Sequence, residues 1–527
     1  MIRELIQKIK EQPKLKLLIL LLAVWQYISI LMMTMFHWPD VFVWLNLGLL
    51  LGYILVAPVY ESLLLLIISI PFYLALPNTH FDALAMWRVL FLALFAMWFI
   101  KEKKYRNLSS ILFLPWDKFM GYFIIIGLVI TAVFAQFYVQ GFKQLFFWLN
   151  IYLLYVVLIN TLKSKQQIFE TIHYTIWSLA IIVTLGFTQL AGTFFTNLDT
   201  FWVYWADNIS RLYYGAGFAS VALYSNSWFS YAGGGRELRM FSIMPDSQSF
   251  AFICIFALCM GTALTRSVFR HIKKWLWSGI RFAGLALILS GTRAAWVGML
   301  APFAAVAAAY YKNFQKHLAR KFLWPFVIIF ALFALSPVIN RGLDFLRVGK
   351  FQENFLERAQ SIYDLNNVSN QGRLAIWQSS LEFVWHHPLG VGVGNFIVSL
   401  GSVPPHASYA DVSNEINERY NLPKKFISAH NLYLQILVET GIVGLLAFLA
   451  FWVVVLRYLW HFVKNYEKVE DFLVYFVTQA LLMALWVLAA AFFDVTLLND
   501  KVLMFFFIDI GLAGLIVRRY HEYEEHV

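Results

Sequence analysis

Apolar and polar positions alternate along this chain in long blocks, and the apolar blocks are close to twenty residues long from end to end. A helix rises about 1.5 Å per residue, so a block of that length crosses a hydrocarbon core of about 30 Å. The pattern predicts about fourteen transmembrane helices, centred on residues 15–36, 41–56, 62–76, 83–100, 119–139, 142–162, 172–195 and 249–264, then 277–290, 295–311, 323–338, 432–456, 472–492 and 502–517. The weakest division lies between the second and third, which only Pro58 to Glu61 separate; a re-entrant pair would read the same way.

Two polar segments are too long to be simple connectors. One covers residues 196–243, rich in aromatics and interrupted by Gly233-Gly234-Gly235, which reads as a flexible joint. The other covers 340–427, and within it 372–387 has helical spacing, with Leu374, Trp377, Leu381 and Val384 on one face, as for a helix lying on the membrane or over a cavity. The expected fold is an all-α integral membrane protein whose large, partly helical outer loop falls between the eleventh and twelfth spans. Five regions follow: helices over 1–195, a first outer segment over 196–243, helices over 244–338, the large loop over 339–428, and helices over 429–527. No internal repeat is evident.

Composition agrees, with 61% hydrophobic and 13% charged residues. The net charge of +11 would suit a nucleic-acid partner, but its placement points elsewhere. Lys and Arg gather in alternate connections: Lys8 to Lys16, Lys101 to Lys118, Lys163 and Lys165, Arg266 to Lys274, Lys312 to Lys321, Arg457 to Lys468, and Arg518 with Arg519. The short connections between them hold only Lys143, Arg293 and Lys501. This bias puts both termini in the cytoplasm and makes the lipid bilayer, with no nucleic acid, the partner of the charge. The basic start leads into a run too long for a signal-peptide core, so no cleaved leader is expected. Cys254 and Cys259 share one apolar run and read as inert thiols.

Candidate chemistry sits at the outer ends of spans. Ser428-Ala429-His430-Asn431 opens the twelfth run, with Ser428 expected as its N-cap and His430 and Asn431 in its first turn. There the helix dipole would disfavour imidazolium and favour an anion nearby. Arg293 lies in the turn Ser290-Gly291-Thr292-Arg293, and Arg373 opens the helical part of the large loop. Arginine at membrane depth is costly unless it meets an anion, and its planar fork suits phosphate oxygens. Arg211, in the first outer segment, is a weaker candidate for the same anion, and Asp246 caps the eighth span or touches substrate. Trp202, Tyr204, Trp205, Tyr213 and Tyr214 would anchor at the interface or stack on sugars. Glu439 and Asp509 read as helix-packing partners. The glycines of Gly390-Val391-Gly392-Val393-Gly394 follow no βαβ strand and read as a flexible turn rather than a nucleotide loop. His386 and His387 lack a third ligand for zinc, and no Asp-x-Asp occurs, so no metal or cofactor is expected.

Four segments in order resemble the O-antigen ligase and O-antigen polymerase superfamily: the Pro245 segment, Ser290-Gly291-Thr292-Arg293, Arg373 followed by His387-Pro388-Leu389-Gly390-Val391-Gly392, and Ala429-His430-Asn431 with Glu439-Thr440-Gly441. The likeness is best over residues 285–451, and the chain has about two spans more than the common twelve. It implies metal-independent, inverting transfer of a glycan from an undecaprenyl-diphosphate donor to an acceptor hydroxyl, at the outer face of the bacterial cytoplasmic membrane. His430 would be the base and Arg293, Arg373 and Arg211 the diphosphate ligands, with Ser428, Asn431 and Asp246 in support. Transfer to a lipid, to another repeat unit or to a protein hydroxyl all fit the resemblance. A transporter is the reading outside it, although charges at span ends, rather than along a midplane path, disfavour it.

Overall fold

The computed structural model describes residues 13–77, 84–224, 228–232, 235–265, 270–312, 314, 316–346, 359–360, 362–364, 368–396, 428–465 and 472–524. In chain order its longer helices are α1 (Pro13–Met35), α2 (Val41–Val56), α3 (Val59–Ile68), α4 (Met86–Lys101), α5 (Asp117–Phe134), α6 (Tyr138–Thr161), α7 (Lys165–Phe195), α8 (Ser247–Leu264) and α9 (Arg270–Leu289). There follow α10 (Arg293–Gly298), α11 (Leu300–Tyr311), α12 (Lys316–Ala334), α13 (Ser336–Leu346), α14 (Val368–His386), α15 (Leu432–Asn465), α16 (Phe472–Ala490) and α17 (Asp500–Glu524).

Every expected span contains a helix. Among the described residues nine are long and apolar enough to cross a membrane, α10 and α11 counting as one. The third expected span is corrected: α3 has ten residues, about 15 Å of rise and half a hydrocarbon core. It ends in a buried 3₁₀ turn, Ile70–Phe72, after which Ala75 N–H donates to the Leu212 carbonyl at 3.0 Å.

The first outer segment folds into short helical turns and one antiparallel hairpin, Phe229–Ala232 with Gly235–Leu238. These strands depart from the all-α expectation; Phe229 and Leu238 face each other and are both buried, a two-residue period too short to stand out in the pattern. Gly233 and Gly234 lie outside the described residues. The segment's aromatics pack it on itself, and Tyr204 and Tyr213 tie it to the bundle. Trp202 packs against Trp228, Phe229 and Phe241, while the hydroxyls of Tyr204, Tyr213 and Tyr214 donate to the carbonyls of Thr34, Pro71 and Ile243.

One apolar core runs from Ile19 to Tyr520. Of the nine spans α8 and α16 are the most enclosed, 83% buried against 22% for α5, so these two form the centre and α5 faces lipid. Buried carboxylates find partners across this core, as Asp509 accepts from Gln479 at 2.6 Å.

Helix α15 is kinked at Gly441, whose φ of 66° and ψ of −173° suit only glycine. The chain from Pro388 to Phe396 wedges into the kink. Val391 and Gly392 N–H donate to the Val438 and Glu439 carbonyls at 3.1 and 2.9 Å, and Ile442 N–H donates to Pro388. The Glu439 carboxylate receives the backbone N–H groups of Gly394 and Phe396, the packing role expected of it. Gly390, Gly392 and Gly394 all have positive φ, and a Cβ on Gly390 would stand 2.5 Å from Gly441 N. The glycine run is therefore a tightly packed wedge, not the free turn its composition suggests. Its far side is held by α5, where Thr131 Oγ1 accepts from Val393 N–H at 3.0 Å.

Candidate active site

The turn after α9 carries Arg293. Gly291 takes a φ of 61°, which lets the chain reverse within three residues. Ser290 and Thr292 donate their hydroxyls to the Leu287 and Ser247 carbonyls at 2.7 and 3.0 Å. The second bond ties the turn to the start of α8, where Asp246 caps the helix by accepting from Ser249 N–H at 2.6 Å. Trp486 of α16 holds the other side of the turn through the Ala295 carbonyl, at 2.8 Å. Arg293, the first residue of α10, thus sits on a turn fixed by two elements distant in sequence, α8 and α16.

Arg373 rides on α14, and two residues of its expected apolar face, Leu374 and Trp377, line a cavity. Leu374 and Leu381 are exposed, while Ile376 and Ser380 are buried. The helix meets the bundle through the smaller stripe of Ile376 and Ser380. This turns Asn370, Arg373, Leu374 and Trp377 toward a cavity of about 170 Å³, which Arg293, Ala294, Val297, Ile362 and Phe493 complete. Trp377 is itself placed by donating to the Ala429 carbonyl at 3.0 Å and by lying 6.3 Å from the Phe493 ring.

The Trp377–Ala429 bond sets the chain just ahead of α15. The expected cap is corrected here. The helix begins at Leu432, and Asn431, not Ser428, caps it by accepting from Leu434 N–H at 3.1 Å. Leu432 N–H, still free of the helix ladder, donates to the Ala491 carbonyl of the segment leaving α16, at 2.8 Å. His430 therefore precedes the first turn, in a left-handed conformation with φ of 45°. The helix dipole was expected to disfavour the imidazolium; burial and a neighbouring charge act in the same direction here. Burial first and the charge of Arg373 second, with Asp494 opposing, together bring the pKa of His430 from 6.5 down to about 4. His430 does not line the cavity, yet it stands within electrostatic reach of the arginine that does.

Asp494 is the residue that sequence reasoning missed. Its Oδ1 accepts from Val495 and Thr496 N–H and from the Thr496 hydroxyl, which fixes the carboxylate. It also acts on Asp246, whose pKa stands at about 6 because burial, with Asp494 adding to it, outweighs the hydrogen bonds from Ser249 and Asn499. The rule that singled out Arg293, a charge at the outer end of an apolar run, applies equally to Asp494 at the end of 472–492. Arg211 is not brought to this cavity. Its guanidinium lies 3.7 Å from the Asp40 carboxylate, and both side chains are largely exposed.

The architecture and the site together define a multi-pass helical membrane protein with two arginines on one largely apolar cavity and a buried histidine beside it. The chain matches the O-Antigen ligase family over residues 279–449, a stretch that holds Arg293, Arg373 and His430. The match supports the O-antigen ligase superfamily to which its motifs pointed. No curated protein matches the chain.

Proposed function

We propose that the protein is an inverting membrane glycosyltransferase. In this reading it moves a glycan from an undecaprenyl-diphosphate donor to an acceptor hydroxyl at the outer face of the bacterial cytoplasmic membrane. One observation carries the proposal: two guanidinium groups share a cavity, and burial, helped by the charge of Arg373, favours the neutral form of the neighbouring imidazole. Diphosphate is a good leaving group, so the work left to the protein is to hold its charge and to take up a proton. Arg293 and Arg373 bind the diphosphate oxygens. His430 accepts the proton of the acceptor hydroxyl as the new C–O bond forms at the anomeric carbon. The old bond from that carbon to the phosphate oxygen breaks on the opposite face, and the undecaprenyl diphosphate leaves with the electron pair. Asp494 steadies the imidazolium that results, and Asn431 and Asp246 fix the elements on which these groups sit.

The distribution of Lys and Arg supports placing the termini in the cytoplasm and this cavity outside. Acceptors of three kinds suit the chemistry: a lipid anchor, the growing end of another repeat unit, and a protein hydroxyl. The ligase reading is preferred because the matched domain is that of the ligase family. The test is transfer from a labelled lipid-diphosphate donor by purified protein in vesicles, with chelator present. Turnover by wild type and its loss in His430→Ala support the scheme. Full activity in His430→Ala removes the base, and turnover that vanishes with chelator removes the metal-free step.

A further inference from the structure

A second cavity lies at the opposite end of the span that Arg293 begins. It holds about 300 Å³ and is lined by α11, α12, α15 and α16, Thr478 supplying the lone hydroxyl. Ala309, on its wall, is sixteen residues past Arg293, or about 24 Å along the helix axis. The groove therefore sits near the other surface of the bilayer. Phe314 and Trp460, with ring centroids 5.4 Å apart, bridge the α11–α12 connection to α15 at its end.

The charges around it follow the same helix faces. Lys312 continues the stripe of Ala305 and Ala309, at spacings of four and three. Lys316 precedes Ala319 by three residues and reaches across to the end of α11, its Nζ 5.3 Å from the Tyr310 ring centroid. On α15, Arg457 and Lys464 flank Trp460 at spacings of three and four. All four cations are exposed. An apolar slot open to lipid, with cations at its mouth, complements an acyl chain attached to a negatively charged headgroup.

We infer that this groove binds one anionic phospholipid of the cytoplasmic leaflet, an acyl chain lying against Val306, Phe322 and Leu482 and the phosphate held by Lys312, Lys316 and Lys464. Its occupant is distinct from the glycan donor, whose diphosphate belongs at the far end of the span. The inference does not depend on glycan transfer, since it rests on this groove and its charges alone.

The experiment uses the full chain, reconstituted in vesicles of equal parts phosphatidylglycerol and phosphatidylcholine, extracted in mild detergent and weighed with its retained lipid by native mass spectrometry. Wild type is expected to keep phosphatidylglycerol over phosphatidylcholine by about tenfold or more, given the several lysines near the headgroup. The triple substitution Lys312→Gln, Lys316→Gln and Lys464→Gln brings the ratio near one. Ala309→Trp fills the slot and lowers retention of both lipids. The lysines are exposed, so the triple variant keeps its fold, and it alone decides the matter should Ala309→Trp fail to fold. Equal retention of the two lipids by wild type overturns the inference, as does a preference unchanged in the triple variant. In a third arm, a polyprenyl diphosphate is added. If it displaces phosphatidylglycerol from wild type but not from Arg293→Ala, the groove houses the donor's tail and the anionic-lipid assignment is wrong.

Discussion

The two ends of the α10–α11 span use positive charge in opposite ways. At one end Arg293 and Arg373 are half-buried on a cavity whose walls come from four parts of the chain, and the charge acts on a neighbouring side chain. At the other end the lysines stand in water around a slot with almost no polar lining, and what they act on comes from outside. Burial makes the difference. A charge removed from water shifts its neighbours strongly, whereas an exposed one works mainly on the ions that approach it.

The strongest way to break this contrast is to remove the groups at the buried end. His430→Ala should lower kcat by about 10²–10⁴-fold, the usual worth of a general base, with little loss of folded protein. Arg373→Ala should cost about 10²–10³-fold, as for a lost charge stabiliser. Arg373→Lys restores only part of this, because lysine cannot engage two oxygens at once. Steady-state transfer assays on detergent-solubilised protein measure all three. Should Lys312→Gln at the far end cost as much as Arg373→Ala, the two ends would not differ in kind.

Dependence on pH sharpens the comparison. The neutral imidazole is the active form, so kcat/KM should hold as the pH falls below the ordinary histidine value of 6.5 and drop only near 4. Arg373→Ala removes a lowering influence and should move that acid limb upward; Asp494→Asn removes a raising one and should move it downward. A limb that stays at 6.5 in wild type would mean that His430 is solvated like a free imidazole. The same shift touches stability. A histidine that resists protonation only when folded weakens the folded state as the pH falls from 6.5 toward 4.

Much of the fold was legible because bilayer crossing imposes one length and one polarity on every span. The candidate site was legible at Arg293, since a connection that holds few Lys or Arg makes such a residue stand out, and at Arg373 and His430, which open stretches of helical or apolar pattern. What the sequence hid was set by packing between distant segments. The start of α15 falls at Leu432 because Leu432 N–H meets Ala491 and Trp377 holds Ala429, contacts that no local pattern records. The spacing of α14 showed its large apolar face but not that Ile376 and Ser380 meet the bundle. The hairpin at Phe229 was missed because four-residue strands leave too few positions for a period to show.

The smallest expected effect separates the wedge from the spans, and it reads stability alone. Gly441 and Gly48 both lie in apolar helices, and composition treats them alike. At Gly441 a Cβ would stand 2.4 Å from the Leu389 carbonyl carbon, on a backbone that only glycine adopts. At Gly48 it would meet nothing within 4 Å. Gly441→Ala should therefore cost about 2 kcal/mol or more, from strain together with displacement of the wedge. Gly48→Ala should be neutral or stabilise by up to about 1 kcal/mol, as alanine does inside a helix. Thermal unfolding in one detergent compares the two directly. Equal melting temperatures would show that the loop carrying Arg373 is not seated in the kink of α15, and the arginine would then lose the support that aims it at the cavity.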